Sequence, residues 1–113
     1  MDNGRVTGSF DALRQAAHRS LAAKDWPQVG RLAAELQFQF PGQPDGPYYA
    51  ALAEKAAGRS ESAFANFERA LSIAPFRFDI GIELAQHCLG LNRHDRAREL
   101  LQQYIPLAKS SPV

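Results

Sequence analysis

The feature that most constrains this chain is a recurrence of residue types every 34 positions. The segments "LQFQFP" and "ALSIAP" end at Pro41 and Pro75, which are one such step apart. Four further sets keep the same step: Ala17, Ala51 and Ala85; Val29, Ala63 and Ala97; Ala33, Phe67 and Leu101; Leu36, Ala70 and Tyr104. A unit of this length, present about three times in 113 residues, predicts a stack of short units that bury their apolar faces against one another.

Each unit is predicted to be a pair of helices. Alanine is the strongest helix former, and the chain contains 19 alanines. Lys24, Gly58 and Asn92 share one register, and Gly and Asn tolerate positive φ at the C-terminus of a helix. The sequence therefore predicts an all-α fold of six helices in three hairpins, with a turn inside each hairpin.

The helix boundaries follow from capping and proline signals. Ser9 and Asp25 are candidate N-caps, and Pro27 fits the first turn of the second helix. The predicted helices begin at Phe10, after Asp25, at Pro47, at Ser60, at about Phe78 and at about Asp95. The fourth is expected to end at Pro75, the fifth at about Leu91 and the sixth at about Ile105. Pro106 is expected to kink or stop the sixth helix because it removes an internal hydrogen bond.

The segment "AGRSESAFANFERALSIAP" resembles the tetratricopeptide repeat family, whose unit forms two antiparallel helices and has the same length as the step seen here. Gly58, Ala63, Phe67, Ala70 and Pro75 stand at positions typical of that family. The resemblance covers three units, at residues 10–43, 44–77 and 78–111. The first and third units depart most from the pattern. In all three units the usual aromatic residue late in the first helix is replaced, by Ser20, Glu54 and Cys88, and Lys109 replaces the third proline.

The resemblance implies three antiparallel helix-turn-helix hairpins stacked as a short right-handed α-solenoid. We expect one domain at residues 10–108. Residues 1–9 are expected to form a disordered N-terminal tail, because residues 1–8 contain two glycines and little apolar surface. Residues 109–113 are expected to form a C-terminal tail.

Composition argues against several classes of protein. The net charge is +1, which gives no bulk electrostatic reason to expect a nucleic acid or an anionic membrane as a partner. The sequence has no apolar run of about 20 residues and no secretory signal pattern. The single cysteine, Cys88, rules out an intrachain disulfide and gives no sign of an oxidising compartment. We expect a soluble, cytoplasmic protein.

The sequence gives little support for catalysis. His18, His87 and His94 fall on separate segments without the spacing of a zinc site. Cys88 occupies a predicted core position, where a thiol is inert. There is no Gly-rich phosphate loop between a strand and a helix. We therefore expect no enzyme activity, no cofactor and no metal.

The resemblance implies a concave surface that is lined by the first helix of each unit and takes a peptide. The candidate peptide-binding residues are Arg14, His18, Tyr48, Tyr49, Leu52, Lys55, Ile82 and Gln86. Tyr48 and Tyr49 offer large contact areas with polar tips, as binding hot spots do. The alternative is that both tyrosines form a rim partly buried by the proline-rich linker.

Three aspartates, Asp11, Asp45 and Asp79, share one position in the units. They are either a row of carboxylates that faces a basic peptide or charges that stabilise helix N-termini. The second role is worth about 0.3–1 kcal/mol for each residue, and we favour it.

Some members of the family clamp the C-terminal carboxylate of heat-shock chaperones through a Lys/Asn/Asn/Lys/Arg set. The matching positions here hold Arg14, His18, Tyr49, Asp79 and Glu83. Four of the five lose the required donor or reverse its charge, so we expect no clamping of that type.

The last helix carries a second candidate surface, because a repeat stack needs a polar cap at its end. The apolar residues of this possible partner or oligomer face are Leu100, Leu101, Tyr104 and Ile105. Three explanations remain open. The chain pairs with a copy or a partner, it is part of a longer protein, or the tail folds back.

The leading functional interpretation is a non-catalytic protein–protein interaction module. It binds a peptide or protein segment in the concave groove or through its C-terminal helix, and a bacterial adaptor or chaperone is one version of this role. The alternatives are an N-terminal repeat appendage of a larger enzyme and a self-assembling oligomerisation protein. The identity of the partner is unknown.

Overall fold

The computed structural model describes residues 9–110, and all the regular secondary structure in this range is α-helical. The helices are α1 (Phe10–Ala22), α2 (Trp26–Gln39), α3 (Asp45–Ala56), α4 (Ser60–Ile73), α5 (Phe78–Gly90) and α6 (His94–Ser110). Each helix contacts the next one along the chain, which gives three hairpins stacked through α2 against α3 and α4 against α5. The predicted all-α helical-repeat fold is confirmed. In the described part of the chain, no helix is long and apolar enough to cross a membrane.

The turns inside the three hairpins have the same geometry, repeated once in each unit. Lys24, Gly58 and Asn92 have φ of 58°, 79° and 61°. Around each of them, the next residue's N–H donates to a carbonyl five residues earlier: Asp25 to Ser20, Arg59 to Glu54 and Arg93 to Cys88, at 2.8–2.9 Å. This six-to-one bond defines the Schellman motif. The predicted turn register is confirmed, including a lysine in the left-handed conformation.

Side chains cap the first two helices, whereas α3, α4 and α5 have no side-chain cap. Ser9 Oγ accepts from the Ala12 N–H at 3.1 Å, and Asp25 Oδ1 accepts from the Gln28 N–H at 3.4 Å. Both predicted N-caps are confirmed. The third helix begins at Asp45 and not at Pro47, because Pro47 fits inside the first turn, where a backbone N–H has no helical acceptor.

The expected end of the sixth helix at about Ile105 is wrong, since α6 continues through Pro106 to Ser110. The missing N–H leaves the Gln102 carbonyl without a helical donor, but Gln102 is exposed, so water can reach that carbonyl. In the last turn, the Ser110 hydroxyl donates to the Pro106 carbonyl at 2.9 Å. Lys109 and Ser110 are therefore helical, although the sequence assigned them to a tail. Residues 1–8 and 111–113 of the predicted tails lie outside the described residues.

The small residues of the repeat lie in the core, as their register predicts. Ala17, Ala51, Ala85 and Ala63 are all fully buried. One apolar cluster joins α1 and α2 to the face of α3, and a larger one joins α3 through α6. The side chains of Tyr48 and Leu52 pack against both clusters, and α3 therefore connects the first hairpin to the rest of the molecule.

Two residues of the predicted partner face are buried instead. Leu100 is 0% exposed and Tyr104 is 1% exposed. The Tyr104 hydroxyl donates to the Pro75 carbonyl at 2.6 Å, and its ring lies against Gly81, where a Cβ would come within 2.4 Å of the ring. The missing side chain at Gly81 gives the ring room to turn inward. Burial excludes Leu100 and Tyr104 from direct contact with a partner.

Ion pairs connect the second and third hairpins. Arg96 forms a bidentate pair with Glu68, with N–O distances of 2.8 and 2.7 Å. Arg93 pairs with Glu61 at 2.6 Å, and its guanidinium lies 4.1 Å from the centroid of the Phe64 ring. Two-point pairs of this kind fix the geometry of an interface as well as adding to its stability.

Candidate functional site: a groove along the first helices

The first helices of the hairpins share a groove of about 510 Å³. We call it the first-helix groove, and its lining residues are Phe10, Arg14, His18, Leu21, Gln43, Asp45, Tyr48, Tyr49, Arg77 and Asp79. They come from α1, from the start of α3 and α5, and from the linkers before those two helices. The groove therefore draws on all three hairpins, as expected for a surface made by stacking.

Two polar residues of α1 line the groove because of their helical spacing. Arg14 and His18 are four residues apart, so they lie on one face of α1, whereas the exposed Gln15 and Arg19 are turned by about 100° around the helix and do not line the groove. Arg14 Nη2 lies 3.5 Å from Asp11 Oδ1, and both side chains are well exposed. This weak surface pair leaves the guanidinium free to change partners when a ligand arrives.

The two tyrosines form a rigid aromatic wall. The Tyr48 and Tyr49 rings lie 5.4 Å apart edge to face, and Tyr48 lies 6.2 Å from Phe67 in the core. Burial, with help from the carboxylates of Glu83 and Asp79, raises the pKa of Tyr48 to about 12, so its hydroxyl stays protonated and can donate. Only 6% of Tyr49 is exposed. The tyrosines are therefore both groove wall and core.

The carboxylates in the groove differ in their surroundings. Asp79 accepts two hydrogen bonds from Arg77, at 2.9 and 2.8 Å, and this pairing lowers the pKa of Asp79. Asp45 is 7% exposed, and burial raises its pKa although Arg77 and Arg14 oppose the change. The three repeated aspartates are thus not equivalent: one is buried, one is paired, and Asp11 is mostly exposed.

Four of the eight predicted peptide-binding residues line the first-helix groove, and the other four do not. Arg14, His18, Tyr48 and Tyr49 line the first-helix groove. The other four lie elsewhere: Lys55 and Gln86 line a separate pocket of about 220 Å³, and Leu52 and Ile82 are half-buried against the core clusters. Lys55 Nζ lies 3.7 Å from Glu83 Oε2, which directs this side chain toward α5.

Sequence reasoning missed the linker residues of the groove. Gln43 and Arg77 precede α3 and α5, and both line the cavity. They hold the same position in consecutive units, so the repeat register was a signal that could have found them. The sequence-based prediction considered residues of the helices and not of the linkers, although loops often carry binding residues.

The groove can recognise a peptide by its charge and by its shape. It offers guanidinium groups, carboxylates, an imidazole and phenol hydroxyls beside the apolar surfaces of Phe10 and Leu21. Such mixed surfaces bind main-chain and side-chain groups of a ligand together. Among residues 9–110 there is no group of three or more His, Cys, Asp and Glu side chains that could hold a metal ion.

Three stacked helical hairpins with a groove along their first helices define the class of helical-repeat proteins. The sequence profile of the tetratricopeptide repeat matches residues 54–112, just over half of the chain. The chain belongs to the tetratricopeptide repeat family. A search of curated proteins finds no match to this chain. The family supports a role in protein–protein interaction.

Proposed function

We propose that the chain is a non-catalytic interaction module that holds a peptide segment of a partner protein in the first-helix groove. The observation that carries this proposal is that one groove gathers side chains from all three hairpins. A partner lying in it would contact every repeat at once. The tyrosine wall is already fixed by the core, so binding loses little side-chain entropy there.

The charge pattern supports a peptide with mixed polarity as the occupant. Asp79 is satisfied by Arg77, whereas within residues 9–110 the ion pair of Arg14 is the long one with Asp11. The positions that would clamp a chain-terminal carboxylate hold Tyr49, Asp79 and Glu83, which do not supply that donor set. We propose an adaptor or chaperone role in the cytoplasm for the module.

A matched pair of variants tests the groove. Arg14→Ala/His18→Ala removes two groove side chains from α1, and Gln15→Ala/Arg19→Ala removes two exposed side chains of the same helix that do not line the groove. We expect the first variant to recover less of each partner from a cell extract than the unchanged chain, and the second to recover the same amount. Equal recovery by both variants would exclude the groove as the binding surface.

The exposed residues of α6 favour a second binding surface. Leu71 is 5% exposed, but Ile105, which holds the same position in the third repeat, is 40% exposed, and Leu107 is 43% exposed. The half-buried Leu101 lies four residues before Ile105 and on the same side of α6, so these two residues form a small apolar face that another chain could cover, whereas Leu107 points to the other side of the helix. This is the surviving part of the predicted partner face.

Sedimentation velocity of the Ile105→Ser variant tests this second surface. We expect the unchanged chain to sediment faster as its concentration rises and the variant to lose that dependence. A concentration-independent monomer in both cases would remove self-pairing through α6.

A further inference from the structure

A second cavity, of about 530 Å³, lies between α2 and the hairpin formed by α3 and α4. We call it the Trp26 cavity. Its lining includes Trp26, Gly30 and Arg31 of α2, Ala53 of α3, and Ala57 and Arg59 at the turn before α4. It shares no lining residue with the first-helix groove.

The repeat shows what normally occupies this space. Moving each position forward by one repeat unit gives the equivalent place between the second and third hairpins. There, three small residues of the cavity are replaced by larger ones, Phe64 for Gly30, His87 for Ala53 and Leu91 for Ala57, whereas the large Trp26 and Arg31 are replaced by Ser60 and Ala65. An added Cβ at Gly30 would meet nothing within 4 Å. The equivalent place keeps a pocket of about 220 Å³ beside Ser60, His87 and Leu91, so the Trp26 cavity, at about 530 Å³, is its larger counterpart.

The arginine of the turn shows which chemistry is missing. Arg93, the counterpart of Arg59, lies 4.1 Å from the centroid of the Phe64 ring and pairs with Glu61 at 2.6 Å. In the preceding repeat unit, Gly30 holds the position of Phe64 and Pro27 holds the position of Glu61. Within the described range, Arg59 has neither a carboxylate nor a ring against its guanidinium. Its equivalent in the next repeat has both.

The wall of the Trp26 cavity is positively charged. Arg31 and Arg59 are the charged residues of the cavity wall, and both are cations. Arg31 is hydrogen-bonded to Gln28, a neutral side chain, so its charge is not cancelled by that contact. A flat apolar group that carries an adjacent negative charge complements this wall.

We propose that the Trp26 cavity binds an aromatic side chain of a partner protein, held beside a carboxylate of the same partner. The ring enters above Gly30 between Trp26 and the Arg59 guanidinium, and the carboxylate pairs with Arg59. The partner thereby supplies in trans what Phe64 and Glu61 supply to Arg93 within the chain.

Small probes test the chemistry directly. 3-Phenylpropanoate carries a ring and a carboxylate, and 2-phenylethylamine carries the same ring with a positive charge. In NMR titrations of the full chain, we expect the propanoate to shift the Trp26 indole N–H and the amides of Gly30 and Ala57 saturably. Trp26 is the only tryptophan, so its fluorescence gives a second readout. The amine is expected to bind more weakly.

Four variants complete the test. Arg59→Gln should raise the dissociation constant of the propanoate roughly three- to tenfold, and Arg69→Gln, an exposed arginine of α4, should leave it unchanged. Gly30→Phe should fill the cavity and abolish the shifts while it keeps a dispersed spectrum. Ala57→Leu is a second filling variant with the same expected result, should the first fail to fold.

Two results would overturn the proposal. One is a propanoate that produces no saturable shift, or one whose binding is indifferent to Arg59→Gln and to both filling variants. The other is self-association of the unchanged chain that Gly30→Phe abolishes, which would assign the cavity to a second copy of this chain.

Discussion

Two helical glycines show that the effect of one substitution on stability depends on the surroundings of the residue. An added Cβ at Gly30 of α2 would meet nothing within 4 Å, whereas one at Gly81 of α5 would come within 2.4 Å of the Tyr104 ring. Glycine costs a helix interior roughly 0.5–1 kcal/mol relative to alanine. The same substitution therefore has opposite expected effects at the two positions.

Gly30→Ala is expected to stabilise the protein by about 0.5–1 kcal/mol because only the helix propensity changes. Gly81→Ala should destabilise it, because overpacking costs about 1–3 kcal/mol and exceeds the gain in propensity. Urea denaturation of both variants measures these differences. Equal shifts of the two midpoints would mean that Tyr104 does not lie on Gly81.

The buried carboxyl of Asp45 predicts a dependence of stability on pH. Burial raises the pKa of Asp45 above 3.8, so this group favours the folded state below that pH and loses this contribution as the pH rises through the folded-state pKa. Asp45→Asn is expected to have a higher thermal midpoint than the unchanged chain at neutral pH. The advantage should shrink as the pH approaches 3.8.

Asp11→Asn is the matched control, since Asp11 holds the same repeat position and its side chain is 74% exposed. We expect it to give no gain at neutral pH. A gain for Asp45→Asn that persists unchanged in acid would show that burial of the charge is not its cause.

At the scale of the helices, the repeat register predicted most boundaries, and local chemistry explains where it failed. It located the turn residues Lys24, Gly58 and Asn92, and all three have positive φ. It could not locate the end of α6. Proline inside a helix is costly, but the cost depends on whether water reaches the freed carbonyl, and sequence alone does not show that.

The turns allow a comparison of three residue types in one conformation. A residue with a Cβ loses about 1–2 kcal/mol in the left-handed region, and asparagine tolerates that region better than most. We expect Lys24→Gly to stabilise the protein, Asn92→Gly to stabilise it less, and Gly58→Ala to destabilise it. Thermal unfolding of the three variants gives the order. A loss of stability in Lys24→Gly would contradict the assigned turn geometry.

At the scale of the whole molecule, the repeat register predicted which residues lie on the side of the first helices. It did not predict which cavity each of these side chains lines. Arg14, His18, Tyr48 and Tyr49 meet in the groove, while Lys55 is drawn toward Glu83. The direction of a long side chain depends on partners from the next hairpin. The inward turn of Tyr104 likewise depends on contacts with Gly81 and Pro75.

Tyr104 connects α6 to the linker between the second and third hairpins. Tyr104→Phe keeps the ring on Gly81 and removes the 2.6 Å hydrogen bond to the Pro75 carbonyl. We expect a loss of about 0.5–1.5 kcal/mol in unfolding free energy, measured by denaturant titration. An unchanged free energy would mean that the hydroxyl does not stabilise the junction.

The groove assignment is tested most directly by amide hydrogen exchange of the chain with and without a partner that it captures. We expect the partner to slow exchange in α1 and at the start of α3, next to Arg14 and Tyr48, and to leave the C-terminal half of α4 unchanged. Protection confined to α6, with exchange in α1 and α3 unaffected, would contradict it.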